Sequence, residues 1–421
     1  MFAYYLELGL RSLKRNPVLT ALMIFGIALG IAASMTALTL MHVMGSDPIP
    51  WKSDRLHYVQ LDTWDPNQPY SDDGEPPDQV TYKDAQNLMQ AAKADRQTAM
   101  YRIAFPIQPA NPDVKPYQAV GRATYSDFFP MFEPPFQYGS GWDHAQDDQH
   151  ARVVVLTRDS NEKLFGGQNS VGRTARINDV DYTVVGVLAE WKPRIKFYDL
   201  TVGALSDAEQ FFIPYTVAVE LKTNVSGNNS CWKNSDPGWE GYIASECIWQ
   251  QFWVELDSPQ RLAEYKSFLD NYSNEQKKLG RYPRPLNNRL YNVTEWMQNQ
   301  KVVPRDVEIQ VGLSFAFLLV CLINTIGLRR ALGASKPQLF AQHIIESGVI
   351  GISGGLFGLG LTFGGLWMVR VLYQNYANVA RLDWSMVTAT ILLSVLAAVL
   401  AGLYPTWRAC QVAPAAQLKT Q

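Results

Sequence analysis

The chain has 421 residues, with 37 Lys and Arg against 39 Asp and Glu and a formal net charge of −2. That length is enough for two or three domains, and the balanced charge, with no basic run in the middle, argues against nucleic-acid binding. Four cysteines are too few for a disulfide scaffold, and a mean hydropathy of −0.12 hides a concentration of apolar residues at the two ends.

Residues 1–16 read as a short amphipathic helix, with Phe2, Leu6, Leu10 and Leu13 on one face and Glu7, Arg11, Lys14 and Arg15 off it. Such a helix lies in a membrane interface with its apolar side in lipid. Pro17 then starts an uncharged run, 18–41, long enough to cross a hydrocarbon core of about 30 Å. A signal peptide would have a shorter apolar region with a small-residue cleavage site close behind it, so an uncleaved first span is expected over 17–44. Gly26 and Gly30 form a small-xxx-small pair that permits close helix contact.

Residues 45–304 are polar and hold most of the Pro, Asp and Trp. Alternating stretches predict strands at 56–61, 117–123, 152–156, 181–187 and 252–256. Helical patterns lie at 82–92, 160–165, 259–279 and 292–300. This mixture predicts a large α/β domain of two lobes, one formed by 45–135 with 250–304 and the other an insertion at about 136–249.

Three more apolar segments follow, giving expected spans at 305–328, 344–370 and 385–407 and a fold of four transmembrane helices around the large α/β domain. The third is dense in glycine, and Gly351, Gly355 and Gly358 predict packing against neighbouring helices. A short outer loop, 371–384, joins the last two spans, and 408–421 forms a tail. Arg11, Lys14 and Arg15, then Arg329, Arg330 and Lys336, then Arg408 and Lys419 all fall on one side of a four-span chain. That side is expected to be cytoplasmic, with both termini there and the large domain outside.

The loop at 329–343 carries those positive charges beside Gly333 and Ser335, with Leu332, Leu339 and Phe340 as apolar knobs. It has the character of a surface that another protein grips. Glu346, at the membrane edge behind it, is a candidate partner for Arg329 or Arg330.

With these residues the chain resembles the permeases of the MacB/FtsX-like ABC transporter family. The C-terminal block is the most specific: Arg329-Arg330-Ala331-Leu332-Gly333-Ala334 with Gln342 and Glu346, then Gly402-Leu403-Tyr404-Pro405-Thr406-Trp407-Arg408-Ala409 and Pro414-Ala415-Ala416-Gln417-Leu418. The outer region adds Phe165-Gly166-Gly167, Val171-Gly172-Arg173 and Asp181 to Val187, and the N-terminus adds Leu10-Arg11-Ser12-Leu13-Lys14-Arg15-Asn16-Pro17. The resemblance implies a permease that dimerises with a second permease and binds a cytoplasmic ATPase dimer through the inner loop. It implies that ATP-driven motion is sent to an external domain in a Gram-negative inner membrane. A periplasmic adaptor and a TolC-like outer-membrane channel are the expected further partners. The FtsX-like regulators of cell-wall hydrolases and the lipoprotein-releasing permeases are the alternatives, and a membrane-anchored periplasmic enzyme is a third. In one respect the chain departs from the family: Asn324 is followed almost at once by Gly327 to Gly333, so the arm that carries the inner loop is about ten residues short of a full spanning helix with its extension.

A phosphate-binding loop needs G-x-x-x-x-G-K-[ST], and Gly333-Ala334-Ser335-Lys336 lacks the Gly-Lys pair. The chain is therefore expected to be a non-catalytic subunit with no cofactor of its own, ATP and magnesium being bound by the partner ATPase. Asp143, His144, Asp147, Asp148 and His150 have metal-ligand chemistry, but nothing in the sequence fixes them in a frame, so a solvated acidic loop and no metal are expected. Cys231 and Cys247 lie in a Trp-rich stretch of the outer domain and are expected to pair if that side is oxidising. Phe128, Phe129, Phe132, Phe136 and Tyr138 read as core rather than as a binding surface.

Overall fold

The computed structural model describes residues 7, 11, 14, 17–107, 109, 115–327, 336–372, 384–389, 391–393 and 396; for 19, 319, 321–327 and 336–347 it describes the backbone alone. The chain divides into two compact units, one drawn from 1–46 and 303–421, the other formed by Asp47–Val302.

In the first unit, Pro17 has no N–H to leave unsatisfied and opens helix α1 (Pro17–Gly45). Ile27, Ile31 and Met35 recur every four residues on one face of α1 and pack with Met23, Leu318 and Ile350. Val18, Leu22, Phe25 and Leu29 fill another face and are exposed, so α1 is apolar all round, as a helix solvated by lipid must be. Two stretches among the described residues, Thr20–Gly45 and Gly348–Leu372, are long and apolar enough to cross a membrane. Between them in sequence lies a helix spanning Arg305–Gly327 and opening on the polar turn Asp306 and Glu308. The expected inner loop 329–343 is helical from Lys336 onward, where the long helix Lys336–Leu372 begins; Pro337 sits in its first turn, where a missing N–H costs nothing. Residues 384–389, 391–393 and 396 of the expected fourth span are helical, and the rest of 385–407 lies outside the described residues. Of the expected helix at 1–16, residues 7, 11 and 14 are helical, with Arg11 paired to Glu7 at 2.6 Å.

The second unit is built on one mixed sheet, eleven-stranded among the described residues. Its strands are β1 (Leu56–Gln60), β2 (Val80–Thr81), β3 (Arg96–Ile107), β4 (Tyr117–Thr124), β5 (Phe136–Gly139), β6 (Val153–Leu156), β7 (Thr174–Ile177), β8 (Val180–Leu188), β9 (Phe211–Pro214), β10 (Ile248–Glu255) and β11 (Arg289–Asn292). The order is β11-β1-β10-β3-β4-β9-β6-β8-β5, with β2 on β10 and β7 on β3 and β8. Pairs β4–β9 and β6–β8 are parallel; the other neighbours are antiparallel. The range 136–249, expected as an inserted lobe, supplies β5 to β9 of this same sheet, and hydrogen-bonded neighbours continue without a break into the strands on either side.

The helices of this unit follow as α2 (Tyr82–Ala91), α3 (Phe128–Phe132), α4 (His144–Asp148), α5 (Arg158–Phe165), α6 (Tyr215–Glu220), α7 (Gly238–Ala244), α8 (Pro259–Lys278) and α9 (Val293–Asn299). Side-chain caps set the starts of α2, α5 and α8: Thr81 accepts from Asp84 N, Thr157 from Ser160 N and Ser258 from Arg261 N. Helix α9 has a full capping box between Asn292 and Glu295. The first and second helices of the membrane-type unit after this domain, Arg305–Gly327 and Lys336–Leu372, are numbered α10 and α11.

Strand β10 is buried along its whole length because both faces of the sheet are covered. Phe252 and Val254 point into the main apolar core with Tyr101, Tyr265 and Leu269. On the opposite face Trp253 packs edge-on against Tyr58 and Phe132, in a second core of aromatic rings with Phe197 and Tyr198. Phe128, Phe129 and Phe132 belong to that core and are buried, as residues of a hydrophobic interior.

Candidate functional site

The chain enters the Asp47–Val302 unit just before β1 and leaves it just after α9, and the first and last elements of the unit are fastened to each other. Strands β1 and β11 pair antiparallel, His57 opposite Asn292 and Gln60 opposite Arg289. The backbone N–H of Val293 donates to Ser53 O at 3.3 Å. Trp296 of α9 is fully buried and stacks on Tyr58 of β1, with ring centroids 3.9 Å apart and planes 19° from parallel. Stacked aromatic pairs add roughly 0.5–1.5 kcal/mol beyond their area.

The incoming segment is stiff. Asp47 Oδ1 accepts from Ile49 N at 2.9 Å, Pro48 and Pro50 fix two φ angles, and the N–H groups of Lys52 and Ser53 both donate to Ile49 O at 2.9 Å. Lys52 is buried, and its ammonium lies 3.1 Å from Glu255 Oε1 and 3.2 Å from Glu133 Oε1 and donates to Pro130 O. Glu255, at the end of β10, is fully buried and also takes Arg96 at 3.0 Å and Arg55 at 3.6 Å. On the same face of β10, Gln251 accepts from Arg122 at 3.3 Å. Arg122 is fully buried and donates through Nε to Glu209 at 2.9 Å, while its Nη2 reaches Asp199 and Glu209. Lys196 lies 2.7 Å from Glu209, and the Tyr198 hydroxyl donates to it at 2.6 Å. Burial pushes the Glu209 carboxyl up, but Arg122 and Lys196 reverse that and hold it down at about 2. Buried charges of this kind persist only when paired and hydrogen-bonded, and here two cations meet two carboxylates.

The outgoing side is laced by the acidic segment after β1. Tyr291 donates to Glu75 at 2.9 Å, Arg289 lies 3.6 Å from Glu75, and Lys301 lies 3.3 Å from Asp73. Arg284 pairs with Asp62 at 3.0 Å beside a polar cavity of about 30 Å³, into whose lining Asp62 and Tyr282 contribute buried oxygen atoms without a protein partner. That volume suits a water or two.

In the membrane-type unit, glycines set the helix approach. A Cβ on Gly30 would lie 2.9 Å from Leu318 Cδ1 and 3.1 Å from its Cα, one on Gly358 would lie 3.1 Å from Ala28 O and Ile31 Cβ, and one on Gly354 would lie 2.9 Å from Ile27 Cγ2. Gly351 and Gly355 are buried on α11 and Gly26 is half-buried on α1. Of the residues expected to contact an ATPase, Arg329, Arg330, Leu332, Gly333 and Ser335 lie outside the described residues. Lys336, Leu339, Phe340 and Glu346 lie on the first turns of α11, with their side chains outside the description.

Cys231 and Cys247 are joined by a disulfide. It fastens the loop after α6 to the start of β10, beside the bridge between Ser230 and Ile248, and Trp232 Nε1 donates to Thr63 O at 3.1 Å. The stretch with metal-ligand chemistry is folded into α4: Asp143 caps it, Asp147 accepts from Ser126 N and Trp142 Nε1, and His150 lies 2.7 Å from Glu220. The joint formed by Lys52 with Glu255 and by Tyr58 with Trp296 leaves no local signal in the sequence, because the partners of each pair lie more than 200 residues apart.

Residues 20–271 match the MacB-like periplasmic core domain, and residues 312–414 match the FtsX-like permease C-terminal domain. A macrolide export ATP-binding/permease protein, MacB, of Chromobacterium violaceum is 23% identical over 443 residues, covering 97% of this chain and 59% of the relative. A pyoverdine export ATP-binding/permease protein, PvdT, of Pseudomonas aeruginosa is 24% identical over 312 residues, covering 72% of this chain and 43% of the relative. The ABC transporter permease YknZ of Bacillus subtilis is 33% identical over 94 residues, covering 22% of this chain and 23% of the relative. The chain spans 23% to 60% of the length of the curated relatives it matches. The periplasmic region of MacB from Actinobacillus actinomycetemcomitans aligns with a TM-score of 0.39 at 15% identity, over 60% of this chain and 94% of that one.

Proposed function

The chain belongs to the MacB-like, FtsX-type family of ABC transporter permeases, and from that premise we propose that it is a mechanical relay driven by a separate cytoplasmic ATPase dimer. The ATPase grips residues 329–343, and its closure on ATP and magnesium displaces the membrane helices. That displacement reaches the periplasmic domain, which works on a periplasmic or membrane-embedded substrate for export. The relay acts as a dimer with a second permease, in a Gram-negative inner membrane with both termini cytoplasmic. A periplasmic adaptor and a TolC-like outer-membrane channel complete a tripartite path. The activities for which two relatives are named, macrolide export and pyoverdine export, favour export.

The observation that carries the reading is the fastening of the domain's first and last elements to each other. Ser53 bonds to Val293, β1 pairs with β11, and Tyr58 stacks on Trp296. A domain tied to its membrane helices through two loose linkers would absorb a small displacement in the linkers. One whose first and last strands are paired and packed takes up a displacement as a body, since packed interiors deform little. The test is purification of the full chain from native membranes at low detergent. An ABC ATPase is expected to come with it, and Leu332→Asp combined with Phe340→Asp is expected to release that ATPase. Absence of any ATPase, or retention by the double variant, would sink the reading.

A further inference from the structure

Lys52 is an expensive residue for the place it occupies. Lysine is almost never fully buried unless paired, and a buried ion pair is commonly no more stabilising than apolar side chains of similar volume. A role in stability alone would be met as well by Met. What an ammonium gives instead is a directional hold on several acceptors at once, and Lys52 holds three: the Glu255 and Glu133 carboxylates and the Pro130 carbonyl. These belong to different parts of the domain. Glu255 ends the central strand β10, while Pro130 and Glu133 belong to α3 and its C-terminal cap. The neighbouring Trp51 adds a fourth tie, donating to Glu133 Oε2 at 2.9 Å.

Lys52 also follows the end of α1 closely in the chain. Gly45 closes that helix, and the intervening segment is shortened by the Asp47 turn, stiffened by Pro48 and Pro50, and anchored by buried Ile49. We propose that Lys52 is a positioning residue for the relay, the point at which a displacement of α1 is handed to β10 and α3 before it can be absorbed elsewhere. The inference rests on the relay reading and adds to it a single residue and a direction: from α1, through the ammonium, to the β10 end and to the aromatic core around Phe128 and Phe132. The hold is breakable without unfolding the domain, because Arg96 and Arg55 still face Glu255 when Lys52 is gone.

The experiment uses the full chain purified with its ATPase, compared without nucleotide and with ATP and vanadate, and follows amide hydrogen exchange in segments 46–53 and 128–135. In the natural protein both segments are expected to change with nucleotide. In Lys52→Met the change is expected to remain at 46–53 and to be lost at 128–135, and Lys52→Arg is expected to restore it. Nucleotide-free exchange of β10 measures whether the fold survives, and a purely structural role would move that protection and not the nucleotide response. Should Lys52→Met not fold, Glu133→Gln replaces it, removing the more exposed acceptor while the Glu255 pair stays; a reduced response at 128–135 is then expected. An unchanged response at 128–135 in the folded variant, or failure of Lys52→Arg to rescue, overturns the role of Lys52. No nucleotide response at either segment of the natural protein overturns the relay reading instead.

Discussion

The Cys231–Cys247 disulfide closes a loop with a sequence separation of 16. Its contribution comes from the unfolded chain, which loses the freedom to separate those residues. In the chain-entropy model a loop of that length is worth about 3 kcal/mol at 25 °C. Cys231→Ser is the cleaner way to remove it, because Cys231 is exposed and Cys247 is fully buried at the start of β10, so the core keeps its sulfur. For a domain of this size that loss lowers the unfolding midpoint by about 6–12 °C. It also exposes a less constrained unfolded state, so the denaturant slope is expected to rise along with the fall in stability. The assay is urea and thermal unfolding of the full chain in detergent, followed by tryptophan fluorescence, with and without a phosphine reductant. Reduced natural protein and Cys231→Ser should coincide, both below the oxidised form. Identical midpoints for oxidised and reduced protein would refute the reasoning: the loop would then be held by Trp232 and by the Ser230–Ile248 bridge, with the disulfide adding nothing.

Two further outcomes concern helix packing and pH. Gly30→Ala places a methyl 3.1 Å from the Leu318 backbone, which cannot rotate away, so thermal stability in detergent should fall by roughly 1–3 kcal/mol. Gly360→Ala meets nothing within 4 Å and should be neutral or stabilising, through helix propensity of up to about 1 kcal/mol. Equal effects at both sites would argue against α1–α10 contact at Gly30. Glu209 titrates at about 2 in the fold, below its ordinary 4.5, so the unfolded chain binds the proton first. Its contribution to stability is fully present above pH 4.5 and lost as pH falls toward 2. Glu209→Gln should be less stable at neutral pH, leaving Arg122 and Lys196 short of a partner, and should flatten the acid-unfolding slope in that window. A natural-protein stability curve without slope between pH 4.5 and 2 would contradict the pairing.

The elements legible in the sequence were those with local signals. Asn292 and Glu295 announce the start of α9, Ser258 and Pro259 that of α8, and the β-branched and aromatic run in β1 is recognisable even though both its faces are buried. Strand β3 carries no such signal despite its length, because burial on both sides of Gln97 to Tyr101 erases the alternation that marks a half-exposed strand. Helices α3, α4, α6 and α7 are too short to show a period and depend on tertiary packing. The disulfide was legible because two cysteines share one outer stretch. The buried ionic groups were not: Arg122 meets Asp199 and Glu209, 77 and 87 residues away, and each looks like an ordinary surface charge in sequence. The inner loop stands out in the sequence by its charges, and residues 329, 330, 332, 333 and 335 lie outside the described structure.

The most direct measurement of the relay is a distance between periplasmic domains in the assembled transporter. Spin labels at exposed Leu279 on each permease, in the complex with its ATPase, would report that separation by pulsed electron spin resonance. The relay predicts one distance distribution without nucleotide and a shifted one with ATP and vanadate, the shift disappearing when Leu332 and Phe340 are both replaced by Asp. A distribution that stays the same in every nucleotide state, with the ATPase bound and turning over, would contradict it.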